Sequence, residues 1–141
     1  MLNRILLGFL LFSLIVSGKC KKDSEDCHYN VKVLNNSTMP VYIIWQLNYP
    51  DTSINDPNPL LQGEYYRVNP GRNDFSLFHN DCFEDVYKYR IPSDTMMFFV
   101  FDAHLLEQTS WETVKSNYMV LNRFDYSLAD LRNRNFTITY P

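Results

Sequence analysis

Glycine and long apolar runs are both scarce in this chain of 141 residues, and each scarcity excludes a class of protein. None of the four glycines belongs to a Gly-x-Ser-x-Gly elbow, the turn that presents the nucleophile of an α/β-hydrolase. The longest apolar run, residues 5–16, would form a helix of about 18 Å at about 1.5 Å per residue. Because a bilayer core of ~30 Å needs about 20 such residues, this run does not predict a permanent membrane span.

The N-terminal residues have the pattern of an export signal. Arg4 supplies a positive charge, residues 5–16 form an uncharged apolar core, and the small residues Ser17 and Gly18 precede Cys20. A basic start, a short apolar core and small residues before a processing point are typical of a secretory signal peptide. We therefore expect an exported protein.

Two processing routes follow from this pattern. In the first, residues 1–19 are removed, Cys20 is lipidated, and the charged residues 20–27 form a flexible tether. The acyl chains would then hold the protein stably at a membrane surface. In the second, cleavage after Gly18 releases a periplasmic or secreted protein; Lys19, directly before the cysteine, keeps this route open.

The chain also lacks a clustered excess of positive charge. It has 13 basic and 16 acidic residues, and removing residues 1–19 takes away Arg4 and Lys19, which leaves 11 basic residues against 16 acidic ones, or −5. The densest basic pair, Arg132 and Arg134, is most simply a solvated turn. Since nucleic-acid binding needs a clustered basic face, we expect no nucleic-acid partner.

The three cysteines are Cys20, Cys27 and Cys82. If Cys20 takes lipid, Cys27 and Cys82 can form a disulfide in an oxidising compartment. Closing a loop of ~55 residues would stabilise the fold by roughly 4 kcal/mol in the chain-entropy model. The neighbouring His28 and His79 would complete a two-cysteine, two-histidine zinc set, but neither cluster has the usual two-cysteine spacing, so we predict no metal.

Short runs of aromatic and β-branched residues predict a mainly β fold. Strands are predicted at 29–34, 41–49, 65–68, 74–78, 95–101, 118–126 and 136–140, and short helices at 82–90, 110–118 and 127–132. We expect the first two strands to form a hairpin and 95–101 to be buried on both faces. Residues 28–141 should then form a single antiparallel β-sandwich, Ig-like in broad architecture, with two or three short helices.

No pair of residues predicts catalysis. Asp102 and His104 follow the buried strand, but a charged turn over 102–109 is the simpler interpretation. Glu84 and Asp85 are adjacent on a helix, point in different directions and are predicted to be solvated charges. We therefore expect a protein that is not an enzyme, with no catalytic residue and no cofactor.

The loop at residues 50–63 is long enough to be functional. Its oxygens could attract calcium, but it lacks EF-hand spacing, and a rigid turn built by Asn and Pro is the default. Tyr65, Tyr66 and Trp45 could line a platform for a glycan, although most aromatic residues belong to the core.

Residues 21–26, KKDSED, look like the tethers that follow the anchoring cysteine in lipoproteins of the Bacteroidota. The body resembles small exported lipoproteins of gut-type Bacteroidota in VYIIWQLNYPD, DPNPL, SWETVKSNYMVLNRFDYSLADL and the closing TITYP. The resemblance implies a lipid anchor on Cys20 at the outer membrane or cell surface. It brings no activity, catalytic residue or cofactor with it.

These observations favour a membrane-anchored module that binds a protein or a glycan without catalysis. Two alternatives stay open: a structural or assembly lipoprotein within an envelope complex, and a hydrolase whose site the sequence does not reveal.

Overall fold

The computed structural model describes residues 23–72 and 75–141, so the expected signal peptide and Cys20 lie outside the described residues. The elements are β1 (Asn30–Asn35), β2 (Val41–Gln46), a 3₁₀ segment (Pro59–Tyr66), β3 (Arg67–Val68), β4 (Phe75–Phe78), α1 (Phe83–Arg90), β5 (Met96–Asp102), α2 (Ala103–Gln108), α3 (Trp111–Ser116), β6 (Asn122–Tyr126), α4 (Leu128–Asn133) and β7 (Thr137–Tyr140). In these residues no helix combines the length and the apolar character that crossing a bilayer requires.

The strands form two sheets. The larger sheet has the order β3-β2-β5-β6 and is antiparallel throughout, whereas the smaller has the order β4-β1-β7. A sandwich-like arrangement of strands with short helices was predicted and is confirmed at that level. The prediction of purely antiparallel sheets is wrong, because β1 and β7 pair in parallel. Parallel neighbours need a long connection, and here it is nearly the whole described chain, which local turn signals do not reveal.

The predicted hairpin between the first two strands is also wrong, because β1 and β2 belong to different sheets. The intervening turn crosses from one sheet to the other and is held by the fully buried Asn35. Its side-chain amide donates to the carbonyls of Met39 and Val68, both at 2.9 Å, and its Oδ1 accepts from the Ser37 amide at 3.0 Å. The predicted turn is therefore present, but it connects the two sheets and does not close a hairpin.

Strand β5 separates two apolar cores. Met96, Phe98 and Val100 face the core between the sheets, while Met97, Phe99 and Phe101 face a second core under helices α2 and α3. All six side chains are completely buried, which confirms the predicted burial on both faces. The result is three layers: the small sheet, the large sheet, and a layer of helices and loop.

Local capping explains where two of the predicted helices begin. The Ser110 hydroxyl accepts from the Thr113 amide at 3.2 Å at the start of α3. At the start of α4, Ser127 and Asp130 form a complete reciprocal capping box. Helix α2 was not predicted; the Asp102 carboxylate caps it, where the sequence suggested only a turn.

Candidate functional site

One edge of β2 has no strand partner among the described residues over most of its length. Strand β3 pairs with β2 only at Val41 and Tyr42, although β2 continues to Gln46. Beyond that point the loop at 50–63 and the 3₁₀ segment cover the edge. Where a strand ends early and a loop replaces it, a cleft can form.

The loop is fixed to β2 by Gln46, a polar side chain that is only 4% exposed. Its amide is oriented so that every neighbour is satisfied. In that orientation the nitrogen donates to the Ser53 carbonyl at 2.8 Å and to Asn48 Oδ1 at 3.1 Å, and the oxygen accepts from the amides of Asn55 at 2.9 Å and Asp56 at 3.2 Å. Gln46 therefore positions residues 55 and 56 against the strand.

Further contacts hold the rest of the loop. Buried Ile54 inserts into the second core, and Trp111 Nε1 donates to the Asp56 carbonyl at 3.0 Å. Asp51 Oδ1 accepts from the Ser53 amide at 2.9 Å, and hydrogen bonds from Ser53 lower the pKa of the Asp51 carboxyl. The predicted turn chemistry is thus present, and Asp51 uses its carboxylate to build the turn.

Two hollows open between this loop and β2, and they share Trp45 and Asp56. We call them together the Trp45 cleft. The inner hollow has a volume of about 170 Å³ and is lined by Ile44, Trp45, Asp56, Pro57, Pro59, Gln62 and Tyr66. The outer hollow has a volume of about 410 Å³ and is lined by Trp45, Gln46, Leu47, Asn48, Asn55 and Asp56. The outer volume lies within the ~300–1,000 Å³ range of small-molecule sites.

The aromatic walls of the cleft are supported from the core. Trp45 makes edge-on contacts with His79 and Phe83, with ring centroids 5.2 and 6.3 Å apart. Tyr66 packs against both apolar cores. Both residues are only partly buried, so each is supported by the core and keeps some exposure to solvent.

The Asp56 carboxylate is the electrostatic feature of the cleft. Partial burial raises its pKa, and burial together with the nearby charge of Asp56 raises the pKa of Tyr66. In the part of the chain that the structure describes, no hydrogen-bond donor or cation contacts this carboxylate. Every completely buried side-chain oxygen or nitrogen there has a partner. The unpartnered oxygens of Asp56 must therefore be open to solvent.

The structure joins Cys27 and Cys82 by a disulfide whose Cα atoms lie 5.2 Å apart. Beside it, His28 Nδ1 lies 2.7 Å from Glu84 Oε1, and Glu84 Oε2 accepts from the His28 amide at 2.9 Å. Glu84 is only 9% exposed, so the prediction that it is a solvated charge is wrong. Helix α1 turns it inward, where the disulfide holds it against residue 28.

The two predicted histidines do not meet. The His28 ring stacks on Phe136 at 3.9 Å, whereas His79 lies against Trp45. Within residues 23–72 and 75–141, no cluster of three or more His, Cys, Asp or Glu side chains could hold a metal ion. The sulfur nearest to the Glu84 carboxylate belongs to the disulfide, so this His–Glu pair has no free thiol beside it.

Asp102 and His104 form no side-chain pair. Asp102 Oδ1 accepts from the backbone amides of His104 at 2.8 Å and Leu105 at 3.2 Å. The carboxylate therefore caps helix α2, and the His104 ring is exposed to solvent.

Another hollow, of about 400 Å³, lies beside the disulfide and is lined by Tyr29, Asp81, Cys82, Asp85, Val86, Tyr89 and Arg90. Asp81 is already paired there with Arg90 at 2.5 Å. The Trp45 cleft differs, because its carboxylate is partly buried and no basic residue belongs to its described lining, whereas Asp85 is exposed and Arg90 is close.

Fold and site together thus define a small domain of two sheets with a cleft lined by aromatic residues and one acidic residue. Comparison with protein-family models, curated proteins and solved structures finds no match to this chain. Sequence reasoning singled out Trp45 and Tyr66 but gave Asp56 no role of its own and missed Gln46. One signal for Gln46 was present: it is an amide side chain directly after the apolar run of β2.

Proposed function

We propose that this protein is a non-enzymatic binding module, lipid-anchored at the cell envelope, that holds a glycan in the Trp45 cleft. The observation that carries the proposal is the unpaired Asp56 carboxylate in a hollow that two partly exposed aromatic residues, Trp45 and Tyr66, also line. The seven strands in two sheets also support an Ig-like domain in broad architecture.

The cleft has the two kinds of group that sugar recognition requires. Trp45 and Tyr66 offer flat apolar faces against which the C–H face of a sugar ring can pack. Gln62, Asn48 and Asp56 offer amide and carboxylate groups for the hydroxyls. A few polar groups in a mostly apolar concavity are typical of small-ligand sites.

A glycan array probed with the purified protein tests this function. We expect Trp45→Leu or Gln62→Ala to weaken binding at least about tenfold, a loss of about 1.4 kcal/mol. Tyr89→Leu is the matched control, since Tyr89 is 71% exposed but lies outside the cleft. Gln62 is exposed, so its variant should keep the fold. Binding that survives both cleft substitutions would exclude this site.

The envelope location rests on the N-terminal sequence, and the disulfide fits an oxidising compartment. Mass spectrometry of the membrane fraction should find the mature chain beginning at an acylated Cys20. Cys20→Ser should move the protein to the soluble fraction. A soluble chain with an unmodified N-terminus at Lys19 would contradict the anchor but leave export intact.

A structural or assembly role is the second candidate. It is favoured by apolar side chains on the surface, of which Leu61 is 81% exposed and Phe78 54% exposed. A pull-down from envelope extracts in which Leu61→Ser or Phe78→Ser removes one specific protein, while Trp45→Leu does not, would favour this role over glycan binding.

A further inference from the structure

The described lining of the Trp45 cleft carries charge of only one sign. Asp56 is its acidic residue, and none of the lining residues is basic. The expected mature chain is acidic as well, with 11 basic and 16 acidic residues. An anionic sugar such as a uronic acid would therefore meet a carboxylate with no compensating cation.

A partly desolvated carboxylate gains most from a cation. Removing an ionised group from water is costly unless an opposite charge or several hydrogen bonds replace the water. A sugar hydroxyl donates a hydrogen bond to the carboxylate but brings no charge, whereas an ammonium donates hydrogen bonds and also supplies the opposite charge. Burial raises the pKa of Asp56, which is the direction expected of a carboxyl group that lacks such a partner.

The aromatic walls favour the same ligand. An organic cation is attracted to the face of a Trp or Tyr ring by the ring quadrupole. Trp45 and Tyr66 line the inner hollow together with Asp56, and its volume of about 170 Å³ suits one small group rather than a whole oligosaccharide. One small hollow is thus lined by the acidic residue and by both aromatic residues.

We propose that the inner hollow binds an ammonium group, and that the ligand is a basic amino sugar with a free amine. This inference rests on the glycan-binding function proposed above and names its ligand class. The amine would pair with Asp56 between Trp45 and Tyr66, while the outer hollow receives the neighbouring ring of the same glycan.

Calorimetric titration with two matched ligands tests the proposal. Glucosamine oligosaccharides and their N-acetylated counterparts of the same length differ only at the nitrogen, which is a charged amine in the former and a neutral acetamide in the latter. At about pH 6, where the sugar amine is protonated, we expect the free-amine oligosaccharides to bind at least about tenfold more tightly. Asp56→Asn, which preserves shape, should remove that preference.

Asp51→Asn is the control for the substitution. Asp51 lies in the same loop, and an Asn side chain can still accept the Ser53 hydrogen bond that holds the turn. This variant should keep the full preference for the free amine. Equal melting temperatures would show that the variants fold comparably. Trp45→Leu should weaken the binding of both ligands.

The remaining outcomes separate this inference from the function on which it rests. Equal binding of both sugars, or a preference that survives Asp56→Asn, would overturn the amino-sugar inference, while Trp45-dependent binding would still support a glycan module. If neither sugar binds, the amino-sugar inference fails, and the glycan-binding function fails with it only if the glycan array also shows no Trp45-dependent binding. If only a lysine-containing peptide binds, and does so through Asp56, the ligand is a protein and the amino-sugar proposal is wrong.

Discussion

At the scale of single residues, Gln46 and Asp56 touch each other but differ in how their side chains are satisfied. Gln46 is buried and has a partner for both ends of its amide. The Asp56 backbone is bonded to Gln46 and Trp111, yet its carboxylate contacts no described donor or cation. A backbone held from two sides presents a carboxylate that only solvent satisfies, which is the arrangement expected where binding matters more than stability.

That difference predicts that Asp56 lowers the stability of the folded protein in a pH-dependent way. Its pKa is raised in the folded chain from an ordinary value of 3.8, so ionisation is harder in the folded than in the unfolded state. Asp56→Asn should therefore raise the melting temperature at neutral pH. The gain should shrink as the pH falls through the raised pKa and vanish below about 3.8, where the carboxyl is neutral in both states.

Thermal melts of both proteins from acidic to neutral pH measure this effect. Asp51→Asn is the control of opposite sign, because hydrogen bonds lower the pKa of Asp51 and its ionised form is favoured by folding. It should not stabilise the protein at neutral pH. A melting temperature that Asp56→Asn lowers at neutral pH would show that the carboxylate has a stabilising partner.

At the scale of elements, the short helices depend on their caps. Helix α4 has six residues, too few for a helix to be stable alone, so its start needs the capping box and its packing through the buried Leu131. The helix also connects the two sheets, since it follows β6 and precedes β7. Loss of its cap should therefore reduce the stability of the whole domain.

We expect Ser127→Ala to lower the free energy of unfolding by about 1 kcal/mol, the typical cost of removing an N-cap hydroxyl. Urea titration followed by tryptophan fluorescence would measure it. Ser116→Ala changes the same side chain at the exposed last turn of α3 and should cost less than about 0.5 kcal/mol. Equal losses in the two variants would show that the capping box contributes nothing specific.

At the scale of the whole molecule, the disulfide joins the beginning of the described chain to helix α1. Hydrogen bonds next to the disulfide add to this link. Asp23 Oδ1 accepts from the Tyr29 amide at 2.7 Å, and Glu84 binds His28. The segment before β1 is thus attached to the domain at several points, including residues 23–27, which the sequence assigned to the tether.

Removing this link should destabilise the domain strongly. The cysteines are 55 residues apart, so Cys27→Ser with Cys82→Ser should lower the free energy of unfolding by up to about 4 kcal/mol, chiefly by freeing the unfolded chain. Urea unfolding of the oxidised and reduced protein should show the same difference. Cys20→Ser should have no effect, and a loss below about 1 kcal/mol in the double variant would contradict a stabilising disulfide.

The fold was predictable where local pattern decides it. Alternation and β-branching located the seven strands, although the predicted strands at 65–68 and 118–126 begin too early, because 65–66 belong to the 3₁₀ segment and β6 starts at Asn122. The run at 95–101 was correctly expected to be buried on both faces, and Ser110 and Ser127 marked helix starts. The hairpin, the β1–β7 pair and the environment of Glu84 were not predictable, because each depends on a residue far away in the sequence. Helix α2 was missed although its cap, Asp102, was in view, since the same residues also suit a turn.

By itself the sequence determined the class of the domain: short strands, short capped helices and an aromatic core, with an N-terminal pattern that predicts export. Only the tertiary structure decided that β3 stops after two residues, that Gln46 draws the 50–63 loop onto the open edge of β2, and that Asp56 lies unpaired beside Trp45 and Tyr66. The physical reason is that period and propensity act over a few neighbouring residues. Strand pairing, burial and the charge state of a carboxyl depend on contacts between distant parts of the chain.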